Sequence, residues 1–318
     1  MISLQLQLHG VITATVLPFK FDGSIDWDSY YKLLEYCATP EGISAIFVNG
    51  HAGEGATLDA EEREEVITGT RNFLQGTEKP LLAGVIPYST QSAIDQARRA
   101  ESSGADALVL FPMPQFSAGG TMSRDAPLAY VTEVASQTSI PISIFQQSLK
   151  SGLGYSTETL VALADIPQVI AIKEGSDDII AYEENWRKIK EAAPDVTVLC
   201  SNFDWFLAQC AIGTDGILSG LASLAPDILI DLWRATEQSD LDSMRSISDR
   251  LYHLVRSIYG TLPRMDMHTR IKEALVAIGV IDCAMPRPPL LSVSREVAND
   301  IQAVLAKVDF SHQEKTQI

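Results

Sequence analysis

Val169-Ile170-Ala171-Ile172-Lys173-Glu174-Gly175 is a short apolar run that ends in a lysine. No polar residue alternates through its apolar positions, so it reads as a strand covered on both faces, as in a parallel sheet flanked by helices. Its last side chain is aimed beyond the strand's C-terminal edge. A lysine there is either a solvated strand end or a working amine. Strong hydration of the ammonium favours the first reading, and the surrounding pattern favours the second.

Similar runs recur along the chain. Val11 to Val16, Ser44 to Val48, Leu81 to Ile86, Ala107 to Phe111 and Ile142 to Phe145 precede this one, and Val196 to Cys200 and Gly216 to Ser219 follow it. Amphipathic, helix-like stretches such as Asp26 to Cys37 separate them. Eight strands alternating with helices predict an α/β fold, a closed (β/α)8 or TIM barrel, over residues 1–238. No Gly-x-Gly-x-x-Gly follows the first strand, which weighs against an open dinucleotide-binding sheet. Beyond Gln238 the pattern turns helical, with candidate helices near 239–258, 264–279 and 292–307. The chain therefore divides into a barrel catalytic domain, 1–238, and a C-terminal helical extension, 239–318, packed on the barrel.

The 318 residues, 46% of them hydrophobic, suffice for a large core, while a formal charge of −17 argues against nucleic acid or an anionic membrane as partner. Cys37, Cys200, Cys210 and Cys283 show no Cys-x-x-Cys spacing and read as buried thiols of a reducing compartment. The start of the chain lacks a basic leader region, and no stretch approaches ~18 uninterrupted apolar residues, so a cytoplasmic protein without a membrane partner is expected.

In such a barrel the reactive residues stand at the C-terminal ends of the strands. Those ends carry Asn49-Gly50-His51-Ala52-Gly53-Glu54, Pro87-Tyr88, Phe111-Pro112-Met113-Pro114, Phe145-Gln146, Lys173, Ser201-Asn202 and Ser219-Gly220. Lys173 is the one lysine on a strand of this ring. Apolar barrel walls disfavour its ammonium form, leaving more free base to attack a carbonyl and form a Schiff base. Glu174 points to the opposite side of the strand and is structural. The turn from Gly50 to Gly53 can hold a carboxylate on backbone N–H groups, although a tight strand-to-helix connection would select the same glycines.

Gly50-x-x-Gly53-Glu54, Ile172-Lys173-Glu174, the opening Thr13-x-x-x-x-Pro18-Phe19 and Gly213-x-x-Gly216 together resemble the dihydrodipicolinate synthase / N-acetylneuraminate lyase family of class I aldolases. The similarity spans nearly the whole chain. It implies a (β/α)8 barrel with a helical extension, usually a homotetramer, in which Lys173 forms an imine with pyruvate or another 2-keto acid and the glycine-bearing turn holds the keto acid's carboxylate. The cofactor is then none, the covalent imine on Lys173 taking its place.

This chain also departs from the family pattern. The two positions between the glycines, usually Ser or Thr, are His51 and Ala52, and the usual strand-5 tyrosine is Phe145. The strand-4 loop lacks the tyrosine that the synthase subgroup lends to a neighbouring subunit, which leaves tetramer and dimer both open. Lys150 stands near the place of an arginine that reads the second substrate's carboxylate, or is a solvated loop residue. Two explanations fit the missing hydroxyls: a barrel that binds a keto acid without turnover, acting as a sensor or pseudoenzyme, or rewired chemistry in which His51 replaces the proton relay. A histidine that only bonds the loop or caps the next helix is the alternative for His51.

The expected catalytic residues are thus Lys173 and His51, and the expected substrate contacts are Gly50, Ala52, Gly53, Phe145, Ser201 and Ser219, with Asn202 nearby. Among His9, His51, His253, His268 and His312, only His51 clearly falls on the rim, so no metal site is expected. Glycines near the last strands could cradle a phosphate, but no Lys or Arg accompanies them. The expected activity is a lyase or aldolase that cleaves, condenses or dehydrates a deoxy-keto acid rather than lysine-pathway synthesis, because the hydroxyl relay is gone.

Overall fold

The apolar runs form eight parallel strands: β1 (Gly10–Ala14), β2 (Ile43–Val48), β3 (Leu81–Val85), β4 (Ala107–Leu110), β5 (Ile142–Gln146), β6 (Val169–Glu174), β7 (Thr197–Cys200) and β8 (Gly216–Ser219). They close in sequence order, with β1 paired to β8, as a (β/α)8 barrel. The computed structural model describes residues 6–119, 122–201 and 203–308. Helices alternate with the strands: α1 (Trp27–Ala38), α2 (Ala60–Phe73), α3 (Thr90–Ser102), α4 (Asp125–Ala135), α5 (Thr157–Ala164), α6 (Ile179–Ala192), α7 (Phe206–Ile212) and α8 (Pro226–Glu237). Beyond the barrel lie α9 (Leu241–Ile258), α10 (Met267–Ala277) and α11 (Arg295–Leu305).

Local chemistry starts these helices. Asp26, Ser89, Ser156, Asp178, Asp240 and Ser294 each accept a first-turn N–H, and Asp59 with Glu62 forms a reciprocal capping box. Several boundaries differ from the sequence reading by a few residues, two of them for a visible reason. β1 stops at Ala14 because the N–H of Val16 turns to Ser223 Oγ at 3.2 Å. α10 starts only at Met267, after a short 3-10 turn, Arg264–Asp266, that follows Pro263.

Residues two apart on each strand share a face, so Ala171 and Lys173 on β6 look inward with Ser143 and Phe145 on β5, their register partners. Below the lysine the barrel is closed by buried side chains. The mouth is left to the strand ends and to the extension. α9 packs on α8 and α7, and α10 leans on the 3-10 turn Gly220–Ser223 that follows β8. Among the described residues no helix is long and apolar enough to cross a membrane.

Candidate active site

Lys173 ends the inward face of β6 and is only 8% exposed. Its Nζ lies 3.7 Å from the centroid of the Phe145 ring and donates to Ser201 Oγ at 2.8 Å. Burial in this apolar setting lowers its pKa from 10.5 to about 7, against a smaller upward pull from the neighbouring Glu174. Glu174 faces outward, as its place on the strand requires. Its carboxylate accepts from Asn185 Nδ2 at 3.0 Å and from the Ser176 N–H at 3.4 Å, and burial raises its own pKa to about 7.

The amine opens into a cavity of about 590 Å³ at the C-terminal mouth of the barrel. Its inner wall is aromatic. His51, Phe111 and Phe145 meet edge to face, with centroids 4.8 Å (His51 to Phe111), 5.5 Å (His51 to Phe145) and 4.6 Å (Phe111 to Phe145) apart. Desolvation, then the charge of Lys173, pulls the His51 pKa down to about 4. The ring is nonetheless exposed to the mouth, and water reaching it softens that shift. Either way the imidazole is neutral near physiological pH and can accept a proton.

The glycine-bearing turn is held by means other than those expected. The left-handed residues are Asn49 (φ 58°) and Glu54 (φ 51°), which bracket it, and not Gly50 or Gly53. Gly50 is required for space, since a Cβ there would fall 2.5 Å from the Phe47 ring. Gly55 is required more strictly, since its Cβ would meet the Asn49 carbonyl oxygen at 2.1 Å. Within the turn, Glu54 N–H donates to the His51 carbonyl and Gly55 N–H to that of Gly50. The N–H groups of His51, Ala52 and Gly53 find no acceptor among the described residues. Polar groups left unspent beside a cavity suit an anion.

The structure thus gathers Lys173, His51, Ala52, Phe145 and Ser201 around one space. Gly50 and Gly53 stand behind the turn without lining it. Ser219 is a correction: its hydroxyl accepts the Leu221 N–H at 3.0 Å, capping the turn after β8, and does not face the cavity. Asn202 and His312 lie outside the described residues. Lys150 reaches only the outer rim, exposed and 3.5 Å from Asp177. There Arg264 bridges Asp177 at 3.2 Å and Asp204 at 2.8 Å.

A second correction concerns the histidines. His51 is not alone on the rim, because His268 from α10 lines the same cavity and is 8% exposed. Burial, then the charges of His51, Lys173 and Lys272, lower its pKa to about 3. Tyr259, just past α9, also lines the cavity. The available signal was the pattern of α10: His268 and Lys272, four residues apart, occupy its buried face beside Ile271 and Leu275, where apolar residues are the rule. The walls at this depth therefore carry two imidazoles and an amine whose charged forms burial disfavours. Their N–H groups can still donate to an anion.

Comparison with known proteins agrees with this geometry. The family model described as the dihydrodipicolinate synthetase family matches residues 7–308. A 4-hydroxy-tetrahydrodipicolinate synthase of Fervidobacterium nodosum is 29% identical over 300 residues, covering 94% of this chain and 98% of that protein. The same-named protein of Archaeoglobus fulgidus is 29% identical over 303 residues, covering 95% and 98%. Among solved structures, YagE, a prophage protein of E. coli K12 belonging to the dihydrodipicolinic acid synthase family and crystallised with pyruvate, superposes with a TM-score of 0.86 at 22% identity, covering 95% and 99% of the two chains.

Proposed function

Because the chain belongs to the dihydrodipicolinate synthetase family of lyases, we propose that it forms a Schiff base between Lys173 and pyruvate or another 2-keto acid, and makes or breaks a bond beside the imine carbon. The observation that carries this reading is the enclosed Lys173 amine, with a pKa near 7, facing an anion-ready turn across one cavity. YagE's pyruvate complex supports the substrate class by family analogy.

The chemistry follows from the groups present. Free Lys173 amine adds to the ketone carbon, and loss of water from the resulting carbinolamine gives the protonated imine. That cation withdraws electrons from the adjacent carbon. A base then removes a C3 proton, the C–H electron pair becomes the enamine double bond, and the nitrogen is neutralised. His51 is the base in our reading, because it is neutral, at the mouth and against the Phe145 ring under the amine. The enamine carbon can attack an aldehyde, and the reverse sequence cleaves an aldol. Loss of a hydroxyl beyond that carbon gives dehydration. Gly50 and Gly53 shape the carboxylate clamp, Ala52 supplies one of its N–H groups, and Ser201 orients the amine.

Borohydride reduction with pyruvate tests the core of the proposal: a mass gain confined to Lys173 is expected, and none in Lys173→Ala. The alternative is a keto-acid sensor, favoured by the missing hydroxyls at His51, Ala52 and Phe145. Exchange of pyruvate methyl protons with D2O, followed by NMR, separates the two. An enzyme catalyses it, whereas a sensor that stops at the imine does not. Among acceptors, 2-keto-3-deoxy acids are the first substrates to screen.

A further inference from the structure

His268 sits one residue inside the start of α10, 92% removed from solvent by its 8% exposure, and opens onto the cavity that holds Lys173. A Cβ placed on Gly220 would lie 3.4 Å from the Ala52 methyl and 3.5 Å from both Cδ2 and Nε2 of His268. The Ala52 methyl and the Nε2 edge of His268 therefore flank the same glycine, and the imidazole stands beside the turn whose N–H groups are unspent. Among the described residues no side chain or backbone group bonds the His268 ring, and its nitrogens are not among the sealed polar atoms that lack a partner, so they open to the cavity. Ring nitrogens left open in this way can bond a ligand.

The surroundings say what that partner is. His51 on the turn and Lys173 on β6 line the same cavity, and Lys272 stands one helical turn along α10. Glu54, which ends the turn, is already bound to Lys272 and to the N–H of Arg287. Asp177 and Asp204 are held by Arg264 at the outer rim. No other acid lines the cavity among the described residues.

We propose that His268 is the side chain that grips the carboxylate of the keto acid, at the place where Ala52 offers only a methyl group. The bound carboxylate accepts from the N–H of Ala52 on one side and from the imidazole N–H on the other. This leaves the ketone carbon directed at Lys173. The assignment rests on the imine reading above and adds to it a residue from outside the barrel. It also explains how a turn without Ser or Thr can still discriminate an acid from a neutral ketone: the donor comes from the C-terminal extension.

The test uses imine trapping on the full chain with two ketones, pyruvate and its uncharged methyl ester, comparing wild type with His268→Leu and His268→Gln. Reading the half-saturating ketone concentration isolates the carboxylate. For His268→Leu we expect pyruvate half-saturation to rise about ten-fold to a hundred-fold, the loss of one hydrogen bond to a charged group. The plateau trapping rate and methyl pyruvate half-saturation stay as in wild type. His268→Gln, which keeps an N–H donor, recovers part of the loss. An equal change for both ketones, a fall in plateau rate alone, or no change overturns the assignment while leaving the imine intact. Absence of trapping with either ketone in wild type overturns the imine reading itself, and the role of His268 with it.

Discussion

The sharpest consequence of the site is the pH dependence of imine formation. An ordinary lysine of pKa 10.5 is about 0.1% free base at pH 7.5, whereas one with a pKa of about 7, as Lys173 has, is about three-quarters free base. The enclosed amine should therefore react several hundred-fold faster than an exposed one at equal intrinsic nucleophilicity. The direction follows from the cause. Burial disfavours the ammonium, so the reactive form fills in as pH rises through about 7 and is constant thereafter. The initial rate of cyanoborohydride trapping at low pyruvate, followed by intact mass between pH 5 and 9, should climb about ten-fold per unit and flatten near 7. His268, near 3, titrates below that window, and His51 is lowered in the same direction. Glu174 does not, since burial raises it to about 7 beside the lysine, so the observed inflection belongs to the pair. Glu174→Gln separates them: without the acid's upward pull the inflection moves down. A rate that keeps rising through pH 9, as for a solvated lysine, would refute the argument.

Three further outcomes are expected. Lys173→Met abolishes trapping yet stabilises the fold. Because the folded pKa lies below the unfolded 10.5, the unfolded chain binds more protons between pH 7 and 10.5; the penalty is full below about 7 and fades as pH rises. A gain of about 2 to 5 kcal/mol in urea unfolding at pH 6, shrinking towards pH 10, is the expected reading. His51→Gln keeps imine trapping but slows methyl-proton exchange of pyruvate about a hundred-fold, as for a lost general base; unchanged exchange removes His51 from the relay. Gly55→Ala, whose new Cβ would overlap the Asn49 carbonyl, costs at least about 3 kcal/mol or prevents folding, scored by denaturant midpoint.

The barrel and the strand-end half of the site were legible because both follow from local rules. A strand's alternation decides whether Lys173 or Glu174 looks inward, and the order of elements decides that Phe145, Lys173 and Ser201 come from neighbouring strands. His268, Tyr259 and Arg264 were not legible in this way. They reach the mouth from the extension, whose docking on the barrel no short-range pattern specifies. Ser219 was misplaced for a related reason. A serine at the end of an inward strand reads as a substrate contact, but here the chain turns at once and its own backbone takes the hydroxyl. The strictest glycine, Gly55, went unnoticed because its constraint is a contact with Asn49 across the turn and not a positive φ.

The extension does more than cover the barrel. Lys272, with its side chain fully buried, pairs with Glu54, and Arg287 donates its N–H to the same carboxylate at 2.8 Å while its guanidinium binds Glu62. Both cations also lie over Phe19, at 4.4 Å and 4.5 Å from its centroid. A buried ion pair is a poor source of net stability, because desolvation cancels much of the attraction; breaking it is costly for the same reason. Its value here is geometric. Glu54 is a left-handed residue that ends the glycine-bearing turn, and a conformation of that kind persists only where its surroundings fix it. Lys272 and Arg287 provide that fixing from the extension, and His268 rides on the same helix one turn from Lys272. The helix that clamps the back of the turn thus also places an imidazole on its front. A barrel without this helix would retain the amine of Lys173 but lose the contacts that hold the turn and the imidazole on the far side of its cavity.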